Sequence, residues 1–132
     1  MSETPETADT DWNVKLDPAR YQVLRKGATE PPFTGEYWNT KQKGRYLCAG
    51  CGTELFSSDT KFDSGSGWPS FWEPMGDDRV SSHVDRSHGM VRTEVTCSNC
   101  GGHLGHVFDD GPRPTGLRYC VNSLSLELQP ED

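Results

Sequence analysis

The chain contains 132 residues, 32% of them hydrophobic, with 13 basic and 20 acidic side chains and a formal net charge of -7 at pH 7. Its length suits one domain, and 14 glycines with 9 prolines indicate many turns around a small core. The acidic balance disfavours binding to nucleic acid or to an anionic membrane surface. No apolar run reaches the roughly 20 residues of a membrane-spanning helix.

The N-terminal residues are acidic and lack periodic apolar positions, which predicts a flexible tail at 1–11 ahead of a single domain at 12–132. A polar, acidic start is the opposite of a secretory signal peptide. We therefore expect a cytoplasmic location, where cysteines serve as metal ligands or catalysts rather than in disulfides. The protein is expected to be a monomer.

The first predicted element is a short amphipathic helix over residues 19–26. Asp17 and Pro18 form a typical helix start, with an N-cap side chain before a proline in the first turn, and Gly27 is a typical stop. Residues 28–43 are rich in Pro, Gly and Thr, and we expect them to wrap around the surface as an ordered loop.

Short β-strands separated by turn residues are predicted from Gly44 onward, so that the fold is mainly β with helix confined to the N-terminal region. The last strand alternates most clearly, because Leu124, Leu126 and Leu128 would share one face. The predicted strands span residues 45–48, 54–56, 80–85, 90–96, 106–108, 117–121 and 123–128.

Four of the five cysteines form two C-x-x-C pairs, Cys48 with Cys51 and Cys97 with Cys100, and a glycine follows each pair. This spacing lets both thiolates of a pair point at one ion. Four thiolates around Zn²⁺ leave no open position, which predicts one structural zinc ion per chain and no organic cofactor. Free buried cysteines, a redox-active pair, and His103 as a replacement ligand are the alternatives.

The fifth cysteine lies on a predicted strand whose period of two places Arg118, Cys120 and Asn122 on one face. A guanidinium beside a thiol stabilises the thiolate form, so this arrangement is typical of a nucleophile. A half-buried structural cysteine is the alternative.

Two further groups of residues, a histidine pair and an aromatic pair, are candidates for a site beside this strand. His103 and His106 would face opposite ways on a regular strand, so joint acid–base action requires a kink, which Gly105 could supply. Trp68 and Phe71 follow a pair of glycines, and they either fill the core or line a pocket for a small apolar group.

Five motifs occur in the order C-x-x-C, Gly-Trp-Pro-Ser-Phe, C-x-x-C, His-Leu-Gly-His-Val-Phe and Arg-Tyr-Cys-Val-Asn. Together they resemble the B-type methionine sulfoxide reductases over residues 11–128. The resemblance implies two antiparallel sheets that form a small barrel-like body, and zinc at the cysteine pairs. It also implies reduction of the R epimer of methionine sulfoxide, in peptides and as the free amino acid.

On this resemblance, Cys120 attacks the sulfoxide sulfur and Arg118 stabilises the attacking thiolate. His103 and His106, with Asn122 and ordered water, polarise and protonate the departing oxygen. The oxygen ends on the cysteine as a sulfenic acid, which thioredoxin or a small thiol then reduces.

The S-methyl group of the substrate is expected in a cage formed by Trp68 and Phe71. Only one epimer directs its oxygen toward the histidines while its methyl group enters this cage. That constraint accounts for selectivity toward a single epimer.

Many members of the family carry a resolving cysteine just before the Gly-Trp-Pro motif, where this chain has Ser66. A serine cannot attack a sulfenic acid to form a disulfide, and the other four cysteines are assigned to zinc. Either the chain is a natural single-cysteine form that an external thiol regenerates, or Ser66 is an engineered replacement of a native cysteine. A zinc-site cysteine that resolves Cys120 with release of the metal is a third option.

The competing class is a zinc-ribbon module that binds a partner protein or nucleic acid, or a chaperone or exchange factor of the same fold. The acidic charge argues against nucleic acid. A binding module also has no use for a cation, a thiol and an amide on one strand face beside paired histidines.

Overall fold

A computed structural model describes residues 16–131, apart from the side chain of His88. The predicted tail at 1–11 lies outside the described residues. Within them, the fold consists of one α-helix and nine short strands in two antiparallel sheets. No helix in the described range is both long and apolar enough to cross a lipid bilayer.

The helix α1 spans Pro18–Lys26, close to its predicted bounds. The carboxylate of Asp17 accepts a hydrogen bond from the backbone N–H of Arg20 at 2.9 Å, and Gly27 ends the helix with a left-handed φ of 75°. Its inner face buries Val23 and Leu24. Both predicted helix signals are confirmed.

The smaller sheet has three strands, with β1 in the centre. β1 spans Gly44–Cys48 and pairs with β2, Glu54–Ser57, on one side and with β9, Leu126–Pro130, on the other. This sheet therefore joins the middle of the chain to its C-terminal end.

The larger sheet has six strands in the order β3–β4–β8–β7–β6–β5. Two of these, β3 and β4, are two-residue strands that the sequence pattern did not predict. The bounds are β3 Lys61–Phe62, β4 Ser70–Phe71, β5 Val80–Asp85, β6 Arg92–Cys97, β7 His103–Phe108 and β8 Arg118–Val121.

The core lies between the sheets and is rich in aromatic rings. Tyr46 of β1, Phe56 of β2 and Phe71 of β4 are fully buried. The ring of Phe71 stacks on Phe56 with centroids 4.4 Å apart and meets Tyr46 edge-on at 5.1 Å. The two antiparallel sheets are as expected, but they do not close into a barrel in the described chain.

The strand predicted over 123–128 is wrong in its first half. Ser123–Ser125 form a 3-10 turn, and β9 begins only at Leu126. Ser123 and Ser125 are buried while Leu124 is partly exposed, because both hydroxyls have partners inside: Ser123 Oγ accepts from the backbone N–H of Tyr37, and Ser125 Oγ donates to the carbonyl of His103. The apolar alternation therefore misjudged which side faces inward at residues 123–125, whereas from Leu126 onward it is confirmed, with Leu126 buried and Glu127 exposed.

Strands β7 and β8 approach each other closely at one glycine. Gly105 pairs with Val121, and a Cβ added at Gly105 would overlap the backbone carbonyl of Cys120. Backbone atoms of a paired strand cannot rotate away as a side chain can. A residue without a side chain is therefore required at this position.

Replacing Gly105 by alanine is expected to lower the free energy of unfolding by about 3 kcal/mol, because the strands must separate to admit the added carbon. Gly116→Ala is the control: its added carbon meets open space, and only its φ of 75° is unfavourable, at a cost of about 1 kcal/mol. Urea denaturation, monitored by tryptophan fluorescence, measures the free energy of unfolding of both variants. Equal losses in the two variants would contradict the close approach.

Candidate active site

A pocket of about 250 Å³ opens on the larger sheet and contains most of the predicted site residues. It lies over β6, β7 and β8, and Thr29 and Trp68 from two loops complete its wall. The lining residues are Thr29, Trp68, Arg92, Gly105, His106, Phe108, Arg118, Cys120 and Asn122.

Strand β8 presents its polar face to this pocket, as its alternation predicts. Arg118, Cys120 and Asn122 all line the pocket, whereas Tyr119 lies beside Phe56 on the other face. Nη1 of Arg118 donates to Sγ of Cys120 at 3.3 Å. The sulfur therefore lies in a cavity next to a fixed positive charge.

The guanidinium of Arg118 is held from two further directions. Its Nε and Nη2 donate to the two carboxylate oxygens of Asp110 at 2.8 and 3.1 Å, and its central carbon lies 4.4 Å from the centroid of Phe108. The hydrogen bonds from Arg118 lower the pKa of Asp110, and Asp110 in turn raises the pKa of Arg118. Both groups are charged at neutral pH, and Asp110 leaves the Nη1 group of Arg118 free to donate to the sulfur.

The two histidines meet because strand β7 is irregular. The pairing of β6 with β7 shifts register where Val95 faces Gly105 and Thr96 faces His103, which leaves Leu104 as an extra residue on β7. This bulge offsets the ordinary alternation, so the rings of His103 and His106 lie with centroids 5.7 Å apart. The kink expected at Gly105 is therefore present, one position from the extra residue.

Each histidine is bound by a carboxylate from another strand of the sheet, His103 by Glu94 of β6 and His106 by Asp85 at the end of β5. Nε2 of His106 lies 2.8 Å from Asp85 Oδ2, and Nδ1 of His103 lies 2.7 Å from Glu94 Oε2. Hydrogen bonds from His106 and Ser87 hold the pKa of Asp85 well below its usual range. A carboxylate only accepts, so the bonded ring nitrogens carry hydrogen. The orientation of both rings is thereby fixed.

The two histidines differ in their access to the pocket. His106 lines it, whereas His103 lies behind, only 7% exposed. Nε2 of His103 is buried and has no hydrogen-bond partner among the described residues. Of the predicted pair, His106 is therefore the front ring, which lines the pocket, and His103 is the back ring, which lies behind it.

The amide of Asn122 is largely occupied by the protein itself. Its Oδ1 accepts from the backbone N–H of Glu30, and its Nδ2 donates to the carbonyl of Leu104, both at 3.0 Å. Asn122 is 3% exposed, and only one N–H of its amide remains uncommitted. Its main visible effect is to fasten the segment at Glu30 to the floor of the pocket.

The aromatic wall differs from the predicted cage. Trp68 lines the pocket, and its Nε1 donates to the carbonyl of Glu30 at 2.9 Å. Phe71 does not reach the pocket, because β4 directs its ring into the core against Phe56. Phe108 of β7 lines the pocket in its place.

The two C-x-x-C pairs come together at a distance from this pocket, at the ends of β1 and β6. Each pair begins with the last residue of its strand, and Gly52 and Gly101 take left-handed φ angles of 84° and 76°. In both turns the glycine N–H donates to the carbonyl of the first cysteine, at 2.9 and 2.8 Å. The two turns are therefore built alike, as the spacing predicts.

The four sulfur atoms fit a single metal ion. All of them lie within 4.8 Å of one another, and Cys48 Sγ to Cys100 Sγ and Cys51 Sγ to Cys97 Sγ measure 3.7 and 3.6 Å. These separations are too long for disulfides. A tetrahedral ion with Zn–S bonds of about 2.3 Å holds its sulfurs about 3.8 Å apart. The cluster is thus consistent with a zinc site.

Comparison with known proteins agrees with this geometry. The SelR domain model matches residues 16–130. A peptide methionine sulfoxide reductase MsrB of Acinetobacter baumannii strain ATCC 17978 is 58% identical over 124 residues, which cover 94% of this chain and 89% of the relative. The chain belongs to the methionine sulfoxide reductase B family.

Other relatives with the same name extend this finding. The protein of Acinetobacter baylyi is 58% identical over 124 residues, and that of Agrobacterium fabrum is 58% identical over 123 residues, 93% of this chain and 91% of its own length. Methionine sulfoxide reductase B proteins are oxidoreductases, and this chain is an enzyme of that class. The family resemblance inferred from the five motifs is confirmed.

Sequence reasoning missed several residues of the site. Arg92 and Phe108 line the pocket, and Asp85, Glu94 and Asp110 bind the residues that do. Phe108 ends the His-Leu-Gly-His-Val-Phe motif, so the sequence contained a signal for it. The contact of Glu94 with His103 left no such signal, because it depends on strand register.

Proposed function

We propose that this enzyme reduces the R epimer of methionine sulfoxide, bound in peptides or free, by direct attack of Cys120 on the sulfoxide sulfur. The observation that carries the proposal is the Cys120 sulfur inside the pocket, 3.3 Å from Nη1 of Arg118 and across a paired strand position from His106. A thiol beside a guanidinium and a histidine thus face one cavity, and reduction of a sulfoxide requires a sulfur nucleophile and a proton donor in such an arrangement.

The chemical step transfers one oxygen atom and two electrons. The Cys120 thiolate forms a bond to the sulfur of the protonated sulfoxide. The hydroxyl oxygen then moves from the substrate sulfur to Cys120, so that the substrate S–O bond and the transient S–S bond both break and Cys120 becomes a sulfenic acid. The substrate sulfur is reduced to the thioether of methionine, and the cysteine sulfur is oxidised by the same two electrons.

His106 is the proposed proton donor, because it lines the pocket and His103 does not. Asp85 accepts from Nε2 of His106, so the proton for the substrate oxygen comes from Nδ1 of the imidazolium form of this ring, which carries hydrogen on both nitrogens. The unpartnered Nε2 of His103 lies behind and would bind an ordered water that supports the front ring. The last N–H of Asn122 adds a second polar contact.

The methyl group of the substrate is proposed to lie against Trp68 and Phe108. Both aromatic side chains line the pocket, and the indole is fixed by its hydrogen bond to Glu30. An apolar group gains free energy by leaving water for such a wall. The R epimer then directs its oxygen toward His106.

Regeneration is proposed to come from outside the chain, from thioredoxin or a small thiol. All five cysteines lie in the described residues, and four of them are in the metal cluster. Ser66, at 3.3 Å from Cys120 Sγ, cannot form a disulfide. An external thiol would displace the sulfenic oxygen as water, giving a mixed disulfide that a second thiol reduces. Such thiols are abundant in the cytoplasm, the proposed location.

The metal of the cysteine cluster is proposed to be a structural Zn²⁺. It joins the end of β1 to the end of β6, and thus one sheet to the other. All four coordination positions are taken by the chain's own sulfurs, so the ion has no open position for a substrate. Its role is to stabilise a domain with a small core.

Cys120→Ser is expected to lower kcat/KM by at least about 1,000-fold, because the serine hydroxyl is a far weaker nucleophile. Both epimers of a methionine sulfoxide peptide, with dithiothreitol as the reductant, are followed by chromatography. Zinc content and melting temperature are expected to equal those of the wild type. An active Cys120→Ser variant would exclude this nucleophile.

The assay also tests the competing class. Loss of the R epimer alone supports the proposal. Loss of neither epimer in the wild-type protein would favour a module that binds a partner without chemistry.

His106→Asn is expected to lower kcat by about 100-fold, the usual contribution of a general acid. The matched variant His103→Asn is expected to cost less, because its ring does not reach the pocket. The comparison requires kcat against pH for both variants, since loss of the proton donor removes the limb of the profile that the donor controls. A larger loss in His103→Asn would reverse the assignment.

Removal of the metal is expected to lower the melting temperature by more than about 10 °C, because structural zinc contributes directly to folding free energy. Chelation under mild denaturing conditions and metal analysis would measure one Zn²⁺ per chain. Re-addition of Zn²⁺ should restore the original value. A melting temperature insensitive to metal removal would be inconsistent with this role.

A further inference from the structure

Three serine hydroxyls lie in a row behind the reactive sulfur. Ser70 is fully buried on β4 and pairs directly with Cys120 on β8. Its Oγ lies 2.6 Å from Ser64 Oγ, which lies 2.8 Å from Ser66 Oγ. Ser66 Oγ in turn lies 3.3 Å from Cys120 Sγ. The row runs from the core to the sulfur.

The direction of these hydrogen bonds follows from counting hydrogens, since each hydroxyl has only one to donate. Ser64 donates its hydrogen to Ser66. The single hydrogen of Ser70 has two acceptors in reach, Ser64 Oγ at 2.6 Å and the carbonyl of Trp68 at 3.2 Å, and we assign it to Ser64 because that contact is the shorter. The row therefore donates outward, from Ser70 to Ser64 and from Ser64 to Ser66.

The hydroxyl of Ser66 donates its hydrogen to the sulfur, because its lone pairs are already occupied. Its oxygen accepts from Ser64 at 2.8 Å and from the backbone N–H of Trp68 at 3.3 Å, which occupies both lone pairs. Its own hydrogen has two acceptors in reach, Cys120 Sγ at 3.3 Å and the carbonyl of Trp68 at 3.5 Å. Because sulfur is larger than oxygen, 3.3 Å is the better hydrogen bond.

We propose that Ser66 is a catalytic residue, whose hydroxyl donates a hydrogen bond to the Cys120 thiolate while Ser64 and Ser70 position it. This inference rests on the proposed function in that Cys120 is the nucleophile. Arg118 donates to the same sulfur, so the thiolate has two donors. Ser66 then stabilises the attacking sulfur rather than merely occupying the place of a resolving cysteine.

The charged groups around the sulfur are the same in every serine variant. Arg118 of β8, His106 of β7 and Arg92 of β6 line the pocket, and Asp110 binds Arg118. Differences in the alkylation profile among the serine variants therefore measure the effect of the missing hydroxyl group. Ser82→Ala on the exposed side of β5 is the matched control.

The test is the rate of Cys120 alkylation by iodoacetamide as a function of pH, with mass spectrometry of the Cys120 peptide. In Ser66→Ala the midpoint of the profile is expected to move up by about one pH unit, since a hydrogen bond to a charged group is lost. Ser64→Ala is expected to move it less and Ser82→Ala not at all. The kcat/KM of Ser66→Ala should fall about tenfold.

An unchanged profile in Ser66→Ala, with zinc content and melting temperature intact, would overturn the proposal. If Ser66→Ala does not fold, an unchanged profile in Ser64→Ala overturns it equally. Alkylation of Cys120 does not require a sulfoxide substrate. The hydrogen bond from Ser66 and the proposed reductase function are therefore tested independently. A shifted profile in a protein that reduces neither epimer would refute the proposed function and support the hydrogen bond.

Discussion

The antiparallel pairing of β7 with β8 determines the separation of the Cys120 sulfur from the histidines. His106 faces Cys120 across this pair, and the adjacent Gly105 allows the two backbones to approach closely. The bulge at Leu104 then turns the ring of His103 to the side of His106. The polar face of β8 would be an isolated row of side chains without this pairing.

Three carboxylates hold the polar side chains of the pocket in place, and they come from β5, from β6 and from the residues after β7. Asp85 ends β5 and Glu94 lies on β6, and each accepts from one histidine. Asp110, after β7, binds Arg118 in the same way. The acidic residues that dominate the net charge thus include three that orient the polar residues of the site.

The features that could be predicted from sequence are those set by local spacing. The cysteine pairs, the helix cap at Asp17 and the shared face of Arg118 and Cys120 all follow from distances of a few residues. Features set by tertiary packing could not be predicted. Phe71 and Phe108 are equivalent as sequence, and only the direction of β4 decides that the former enters the core.

The same limit applies to the end of the chain. Leucines at alternate positions are typical of a strand, but buried hydroxyl partners for Ser123 and Ser125 overrode that pattern. Polar side chains with specific partners in distant segments leave no periodic signal. Contacts of this kind depend on the completed fold rather than on neighbouring residues.

The placement of the other four cysteines in one cluster has a consequence for the durability of the enzyme. Within the proposed cycle, the lifetime of the oxidised sulfur depends on the concentration of reducing thiols around the protein, since no internal disulfide shields it. When those thiols are scarce and peroxide is abundant, a second oxidation produces sulfinic acid, which thiols do not reverse. The conditions that create the substrate would then also inactivate the catalyst.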